Sequence, residues 1–312
     1  MPDNIFIAIN GDALHAKSKV YIGRALLRKS AGDFDEYQLW ASLALELLGK
    51  AALAHKHPSL VVDPNHWQSM FVAAGINITT DVKTITAKTL FERLVHFVPR
   101  FDKAIQKFCQ GIAERRNAEL HSADLPFRTM KLDAWEARYW HACDTILHQM
   151  GSSLEHWLGA VDAKAPRQLL DEAAKALAAA VKLRVEAAKE QFDALKRTER
   201  ERLAAEAELR EPQHQVGIFK GSYDEIWMDN CPACNCRAFM AGEQTGEDIS
   251  EERDEYAIWE IVDREFVGEE FRCPTCDLTL IGSDEIGAAS LNYIYEDQQE
   301  REMEYEPDYG ND

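Results

Sequence analysis

The chain has 312 residues, enough for two domains and a connecting segment. Apolar residues make up 46 % of it, an ordinary fraction for a globular protein. No apolar run reaches the roughly 18 residues that a membrane-spanning helix needs, and no basic region precedes the short apolar stretch at the N-terminus. These features argue against a membrane-bound or secreted protein, so we expect a cytoplasmic protein without a membrane partner.

The net charge of −19 is concentrated at one end of the chain. Residues 213–312 contain 26 acidic and 6 basic side chains, a net charge of −20, whereas residues 1–212 carry +1. An acidic surface repels phosphate backbones. The charge therefore argues against nucleic-acid binding by the C-terminal part, while the near-neutral part can still present a local basic cleft.

Residues 1–160 alternate helical patterns with short breaks, which predicts a helical domain. The first strong pattern starts at Asp33, whose spacing to Glu36 is that of a capping box. Apolar residues then recur at helical spacing until the break at Pro58. Further helices are predicted at residues 84–98, 101–122 and 128–150.

The predicted helix at residues 101–122 ends in a compact polar motif, Arg116-Asn117-Ala118-Glu119-Leu120-His121. At about 100° per residue, Arg116 lies on the apolar stripe of this helix, whereas Asn117 and His121 share a neighbouring face. An Arg with a His suits phosphodiester chemistry, because the guanidinium stabilises an oxyanion and the imidazole moves a proton. A structural alternative stays open, in which Arg116 pairs with Glu119 and His121 caps the helix.

This motif resembles the Arg-x4–6-His signature of HEPN domains, in which a polar residue often follows the Arg. Residues 41–54 resemble the long core helix near the start of such domains, so the resemblance covers about the first half of the chain. It implies an all-helical ribonuclease that cuts RNA without a metal and acts as a homodimer with two facing motifs. It also implies that Arg116 stabilises the phosphate, His121 transfers protons and Asn117 orients the pair.

Residues 167–211 contain no Gly or Pro and are rich in strong helix formers. A continuous helix of this length would extend ~68 Å. Leu170, Ala173, Leu177 and Ala180 fit a heptad seam that later becomes polar. We therefore expect a long helical stalk at residues 165–211 that forms a partial coiled coil, with a solvated single helix as the alternative.

Two Cys-Pro-x-Cys motifs mark the C-terminal module at residues 213–312, and their cysteines are Cys231, Cys234, Cys273 and Cys276. Two residues between thiolates let both sulfurs bind one tetrahedral Zn²⁺. Strand-like residues between the motifs predict a small α+β zinc ribbon with an acidic excursion at residues 243–255. Four thiolates leave no open coordination position, so the Zn²⁺ is expected to be structural. Cys236 is left as a spare thiol or a weaker alternative ligand.

The surface of this module is acidic, and its aromatic residues could anchor a protein partner or fill the core of the module. These residues are Trp227, Trp259, Phe266, Phe271, Tyr293 and Tyr295. The acidic tail at residues 296–312 is predicted to be flexible. Protein sensing or self-assembly fits this composition better than RNA binding, and a third option is that the acidic module covers the nuclease cleft in place of RNA.

A mainly α protein with a HEPN-like domain, a helical connector and a zinc ribbon is similar to the ring-activated zinc-finger RNases of bacterial antiphage defence. That resemblance implies a toxin or defence effector that rests until a phage structural protein binds its zinc module. The hypothesis is a homo-oligomeric endoribonuclease that leaves a 2′,3′-cyclic phosphate. Its competitors are a non-catalytic regulator that recruits proteins and a metal-dependent nuclease.

Overall fold

The computed structural model describes residues 7–249 and 259–302 and divides the chain into two compact units, Met1–Leu177 and Ala178–Asp312. Helices dominate the described residues, and an antiparallel sheet with a four-cysteine cluster lies in the second unit. The predicted mainly α class with a small C-terminal α+β module is therefore confirmed. None of the helices in the described ranges combines the length and apolarity needed to cross a membrane.

The first unit is built from helices whose starts are defined by polar caps. In chain order they are α1 Gly11–Ser30, α2 Phe34–Lys56, α3 Trp67–Ala73, α4 Ala87–Val95, α5 Lys103–His121, α6 Pro126–Thr129, α7 Leu132–Gln149, α8 Leu154–Leu158 and the first part of α9 Lys164–Asp193. The side chains of Asn10, Asp33 and Asp102 each accept a hydrogen bond from the backbone N–H three residues later. The predicted capped start of α2 is confirmed, and α4 is shorter than the predicted helix at residues 84–98.

Helix α2 lies at the centre of the first unit, where it packs against α1, α4, α5 and α7. Leu45 and Leu48 are fully buried, and burial of each such side chain stabilises the fold by about 1.5–3 kcal/mol. The buried Tyr139 hydroxyl donates a hydrogen bond to the Ala41 carbonyl at 2.9 Å, which joins α7 to α2. This packing holds the middle of α2 beside the C-terminal half of α5.

The second unit contains a five-stranded antiparallel sheet. Its elements are α10 Arg197–Glu208, β1 Glu225–Asn230, β2 Arg237–Ile249, β3 Trp259–Arg272, β4 Thr279–Ile281, α11 Ser283–Ala288 and β5 Ile294–Glu302. β2 pairs with β1 and β3, and the other edge of β3 pairs with β4 around Phe271 and with β5 around Phe266. Short 3₁₀ helices lie at Ile7–Ile9, Pro58–Leu60, Pro212–His214 and Val216–Ile218.

Two acidic segments form strands where the sequence predicted irregular chain. Residues 243–249 of the expected acidic excursion continue β2, and the start of the expected flexible tail belongs to β5. The remaining residues of both segments, 250–255 and 303–312, lie outside the described ranges. Arg301 of β5 binds Glu247 and Glu260 at 2.8 and 2.6 Å, so cross-strand ion pairs offset the repulsion between acidic strands.

The prediction of one continuous helix over residues 167–211 is wrong. α9 ends at Asp193, residues 194–196 form a turn, and α10 begins at Arg197. No Gly or Pro causes this break, and Lys196 has an extended backbone without a side-chain cap. α10 instead packs against β2, with Ala207 fully buried, so burial in the second unit overrides helix propensity at the turn.

The second half of α9 belongs to the second unit rather than to a free stalk. Val181 and Ala188 are buried there, and Arg184 forms an ion pair with Glu285 of α11 at 2.8 Å. At the other end of the predicted seam, Leu170 packs against the apolar core of the first unit. Both ends of the expected connector are therefore integrated into folded units.

Candidate functional site

The C-terminal half of α5 carries the polar motif and places its side chains in two environments. Arg116 is only 8 % exposed, as its position on the apolar stripe predicted. Asn117 and His121 are exposed. The motif therefore connects the interior of the first unit with its surface.

The buried guanidinium of Arg116 is held by Glu46 and Asn117. Arg116 Nη1 donates a short hydrogen bond to Glu46 Oε2, and Nε and Nη2 donate to Asn117 Oδ1 at 3.2 and 2.9 Å. The alternative pairing of Arg116 with Glu119 is wrong, because the ion-pair partner of Arg116 is Glu46 of α2. The Asn117 amide oxygen and the Glu46 carboxylate fix the plane of the guanidinium.

Lys50 completes this group, which we call the charged cluster and define as Glu46, Lys50, Arg116 and Asn117. Lys50 Nζ donates to Glu46 Oε1 at 2.8 Å and to Thr84 Oγ1 at 3.1 Å. Sequence reasoning missed both Glu46 and Lys50. A signal was present, because they are a charged pair at i,i+4 within the otherwise apolar middle of α2.

The charged cluster carries a net positive charge at neutral pH. Burial raises the pKa of the Glu46 carboxyl, but Lys50 and Arg116 lower it by more, so its pKa lies below the ordinary value. Glu46 is thus ionised, and its single negative charge faces two cations. Because apolar residues would fill such a site at lower cost, a largely buried cluster with an excess cation suits the binding of an anion.

Helix geometry separates Arg116 from His121. Five residues along an α-helix correspond to about 140° of rotation and about 7.5 Å of rise. Within the described ranges, the His121 imidazole forms no hydrogen bond and no ion pair. The two side chains therefore leave α5 about 140° apart, with Arg116 buried and His121 exposed.

The four predicted cysteine ligands converge in the second unit. The sulfurs of Cys231, Cys234, Cys273 and Cys276 all lie within 4.8 Å of one another. The Sγ atoms are 3.5 Å apart in the pairs Cys231–Cys276 and Cys234–Cys273. Tetrahedral coordination with metal–sulfur bonds of ~2.3 Å places sulfurs about 3.8 Å apart, so this cluster fits one metal ion. Hydrogen bonds among the four thiols lower the pKa of Cys231 and Cys273 and raise the pKa of Cys234 and Cys276.

The two cysteine motifs have matching backbone conformations. Asn235 and Asp277, each directly after the second cysteine of a motif, have φ of 57° and 58°. Their N–H groups donate to the carbonyls of Cys231 and Cys273, in both cases at 2.9 Å. Asn and Asp tolerate the left-handed region better than other side chains, so the residue after each motif suits this turn.

Cys236 lies outside the group of four sulfurs that could share a metal. Its thiol contacts the Cys234 carbonyl at 3.6 Å, and its own carbonyl accepts a hydrogen bond from the Cys231 N–H at 3.0 Å. Burial, with a smaller effect of Cys234, raises the pKa of Cys236 to about 12. In the structure Cys236 supports the first cysteine motif with its backbone and remains a protonated thiol.

The aromatic residues of the module separate into core and surface. Phe266, Phe271 and Trp227 are buried, and Trp227 stacks on the half-buried Tyr295 with ring centroids 5.0 Å apart. Trp259 is 53 % exposed at the start of β3. Of the six candidate anchors, Trp259 therefore offers the largest exposed surface to a partner.

Comparisons with known proteins return no relative. No family model, no curated protein and no solved structure matches this chain.

Proposed function

We propose that the chain is a metal-independent endoribonuclease whose active site is built on the charged cluster. The observation that carries the proposal is the buried Arg116, held by Glu46 and Asn117, with the exposed His121 five residues further along the same helix. A fixed guanidinium stabilises the charge that develops on a phosphate, and an exposed imidazole can exchange protons near neutral pH. The HEPN-like spacing of the motif adds to this argument.

In the proposed reaction, the ribose 2′-hydroxyl attacks the adjacent phosphorus and the bond to the 5′-oxygen breaks. The products are a 2′,3′-cyclic phosphate and a 5′-hydroxyl. Arg116 stabilises the charged phosphorane, and His121 relays the proton that the 2′-hydroxyl loses to the 5′-oxygen that leaves. Asn117 holds the Arg116 guanidinium in a fixed orientation through its two hydrogen bonds. Lys50 gives the cluster its excess positive charge.

A homodimer completes the site in this proposal. Arg116 and His121 leave α5 in different directions, so a second copy brings its own His121 towards the first cluster. Leu120 and Leu125 lie beside the motif and are 51 % and 48 % exposed, which suits an apolar contact between subunits. The oligomer is thus part of the catalytic geometry.

We propose Zn²⁺ as the metal of the cysteine cluster. Four thiolates with tetrahedral spacing favour Zn²⁺ among the metals common in cells and leave no position for a substrate. When bound, the ion holds the two cysteine motifs together and takes no part in RNA cleavage.

The C-terminal module is proposed to regulate the nuclease by binding a protein, with a phage structural protein as the class that the architecture suggests. Trp259 and Ile261, two residues apart on β3, are 53 % and 39 % exposed. Alternate residues of a strand share a face, so the two side chains present one apolar surface in an acidic module. Trp259→Ala is expected to abolish activation by the partner and to leave the metal content unchanged.

The first experiment compares cleavage of single-stranded RNA in EDTA by the full-length wild type, Arg116→Ala, His121→Ala and the control Arg115→Ala. Arg115 is an exposed basic residue next to Arg116 on α5. Removal of Arg116 or His121 is expected to lower the rate by roughly 100-fold or more, with cyclic-phosphate ends in the wild type. Arg115→Ala is expected to remain within about twofold of the wild type.

Candidate phage structural proteins are added in parallel, because the protein is expected to be inactive until a partner binds. Full activity of Arg116→Ala would contradict the catalytic assignment. Activity that requires an added divalent ion would instead favour the metal-dependent nuclease. Silence in every condition, with intact oligomers, would favour the non-catalytic regulator.

A further inference from the structure

The outer face of α1 and α2 carries cations stacked on aromatic rings. The guanidinium of Arg24 lies 5.5 Å from the ring centroid of Tyr21 and 5.0 Å from that of Trp40. The ammonium of Lys17 lies 5.5 Å from the Tyr21 centroid, and the two rings meet edge to face at 5.2 Å. We call Lys17, Tyr21, Arg24 and Trp40 the aromatic–basic surface.

The cations of this surface lack carboxylate partners. Across residues 7–249 and 259–302, neither Lys17 nor Arg24 forms a hydrogen bond or an ion pair. The nearby acids are already engaged, since Asp33 and Glu36 bind Arg28 at 3.9 and 2.8 Å. Arg24 is exposed, so its N–H donors are open to solvent while its guanidinium carbon lies 5.0 and 5.5 Å from the two ring centroids, an arrangement ready to accept an anion.

A concavity adjoins the aromatic–basic surface. It has a volume of 380 Å³ and is lined by Arg24, Leu27, Arg28, Ala31 and Trp40. Leu27 is 71 % exposed at its rim. An aromatic ring and an exposed aliphatic side chain beside the Arg24 guanidinium match the two parts of a nucleotide, because bases stack on flat apolar surfaces and phosphates bind Arg.

We infer that this surface is a binding site for single-stranded RNA. An unpaired base packs against Trp40 and Leu27, and a neighbouring phosphate binds Arg24 and Lys17. The choice of RNA rests on the proposed ribonuclease function, whereas the binding itself is a separate property. Paired RNA is expected to bind more weakly, because its bases are not free to stack on the protein.

The aromatic–basic surface is distinct from the charged cluster. Trp40 and Glu46 are six residues apart on α2, which corresponds to about 9 Å of rise and about 120° of rotation. The two groups therefore lie on different faces of the same helix. The surface can hold a part of the RNA that is not being cut, and its substitution leaves Arg116 and His121 in place.

The test measures binding of a fluorescein-labelled single-stranded RNA of about 12 nucleotides to full-length His121→Ala, so that the probe is not cut. In this background, Arg24→Glu is expected to weaken binding by roughly tenfold or more and to lower the salt dependence by about one released ion. Arg24→Lys keeps the charge but not the planar stack and should bind with intermediate affinity.

Two controls separate a specific loss from a general one. Arg197→Glu makes the same charge change at a side chain that is 85 % exposed in the second unit, and it should bind within about twofold of the parent. Trp40→Phe should lose the quenching of tryptophan fluorescence that RNA causes in the parent. Circular dichroism of each variant checks that the helices are intact.

Equal affinities of Arg24→Glu and Arg197→Glu would overturn the inference, and so would the absence of saturable RNA binding by the parent. The cleavage assay of Arg116→Ala decides the proposed function independently. If the substitution of Arg24 changes neither RNA binding nor the rate of RNA cleavage, the protein is a nuclease without this binding site. If RNA binding requires Arg24 but the protein does not cleave RNA, the protein binds RNA and lacks the proposed activity.

Discussion

The charged cluster of the first unit and the cysteine cluster of the second are built in opposite ways. The cysteine ligands come from two short motifs with matching local turns, so local spacing prepares each half of the site. The charged cluster joins Glu46 and Arg116, which are 70 residues apart on two helices. The comparison shows that a candidate metal site can be recognised from sequence spacing, whereas an ion cluster depends on which helices pack together.

The largest expected effect comes from removal of a metal ligand. Cys273→Ser should prevent metal binding and unfold the sheet of the second unit, because binding of a structural Zn²⁺ contributes on the order of 10 kcal/mol to folding in small domains. Limited proteolysis with metal analysis provides the measurement. Residues 213–302 should become sensitive while α1 to α7 stay protected, and Cys236→Ser should retain the metal. Loss of protection in α2 as well would show that the two clusters are not independent.

Substitution of Glu46 tests whether the charged cluster is there for stability. Glu46→Ala leaves Lys50 and Arg116 as buried cations without a carboxylate partner and should lower the free energy of unfolding by about 3 kcal/mol. Replacing Glu46, Lys50 and Arg116 together by Leu, Met and Met should restore that loss, because apolar residues fill such sites without a desolvation cost. Urea unfolding monitored by circular dichroism measures both variants.

The triple variant also separates function from folding. If the cluster serves catalysis, this variant is as stable as the wild type and has no ribonuclease activity. A triple variant that is much less stable than Glu46→Ala would instead identify the cluster as a stabilising network.

Substitution of the residue that follows each cysteine motif should have a smaller effect on stability. Asn235 has a φ of 57°, so Asn235→Val should destabilise the second unit by about 1–2 kcal/mol, while Asn235→Gly should be close to neutral. Thermal unfolding of the metal-loaded protein measures the difference, and Asp277 in the second motif should respond in the same way. Equal stability of the Val and Gly variants would show that the turn does not constrain this site.

Acidification should give the smallest effect, and it concerns only the charged cluster. The pKa of Glu46 is lower in the folded protein than its ordinary value of 4.5. Its contribution to stability is therefore complete above pH 4.5 and is lost as the pH falls through the lower, folded value. Glu46→Gln should be less stable than the wild type at pH 7 and should show less additional loss below pH 4.5, measured by urea unfolding. An identical acid response in both proteins would show that the carboxylate is not coupled to Lys50 and Arg116.

Sequence patterns predicted the features that depend on local geometry. The cap at Asp33, the burial of Arg116 and the spacing of the two cysteines within each motif all follow from residue spacing along one element or motif. The sequence did not indicate the turn at residues 194–196, because strong helix formers continue through it, and after the turn α10 packs against β2. The sequence also did not indicate that β5 continues the sheet. The acidic composition of β5 suggests irregular chain, and the ion pairs of Arg264 and Arg301 across the strands are visible only in the fold.

The sequence by itself determined that Arg116 is buried, that His121 ends a helix and that two cysteine pairs have the spacing of metal ligands. Each of these depends on the period of a helix or the reach of a short turn, which neighbouring residues set. Only the tertiary structure decided that Glu46 and Lys50 lie beside Arg116 and that Arg24 of α1 lies over the ring of Trp40 in α2. Contacts between separate helices depend on the packing of the whole unit, and no local pattern in either helix specifies its partner.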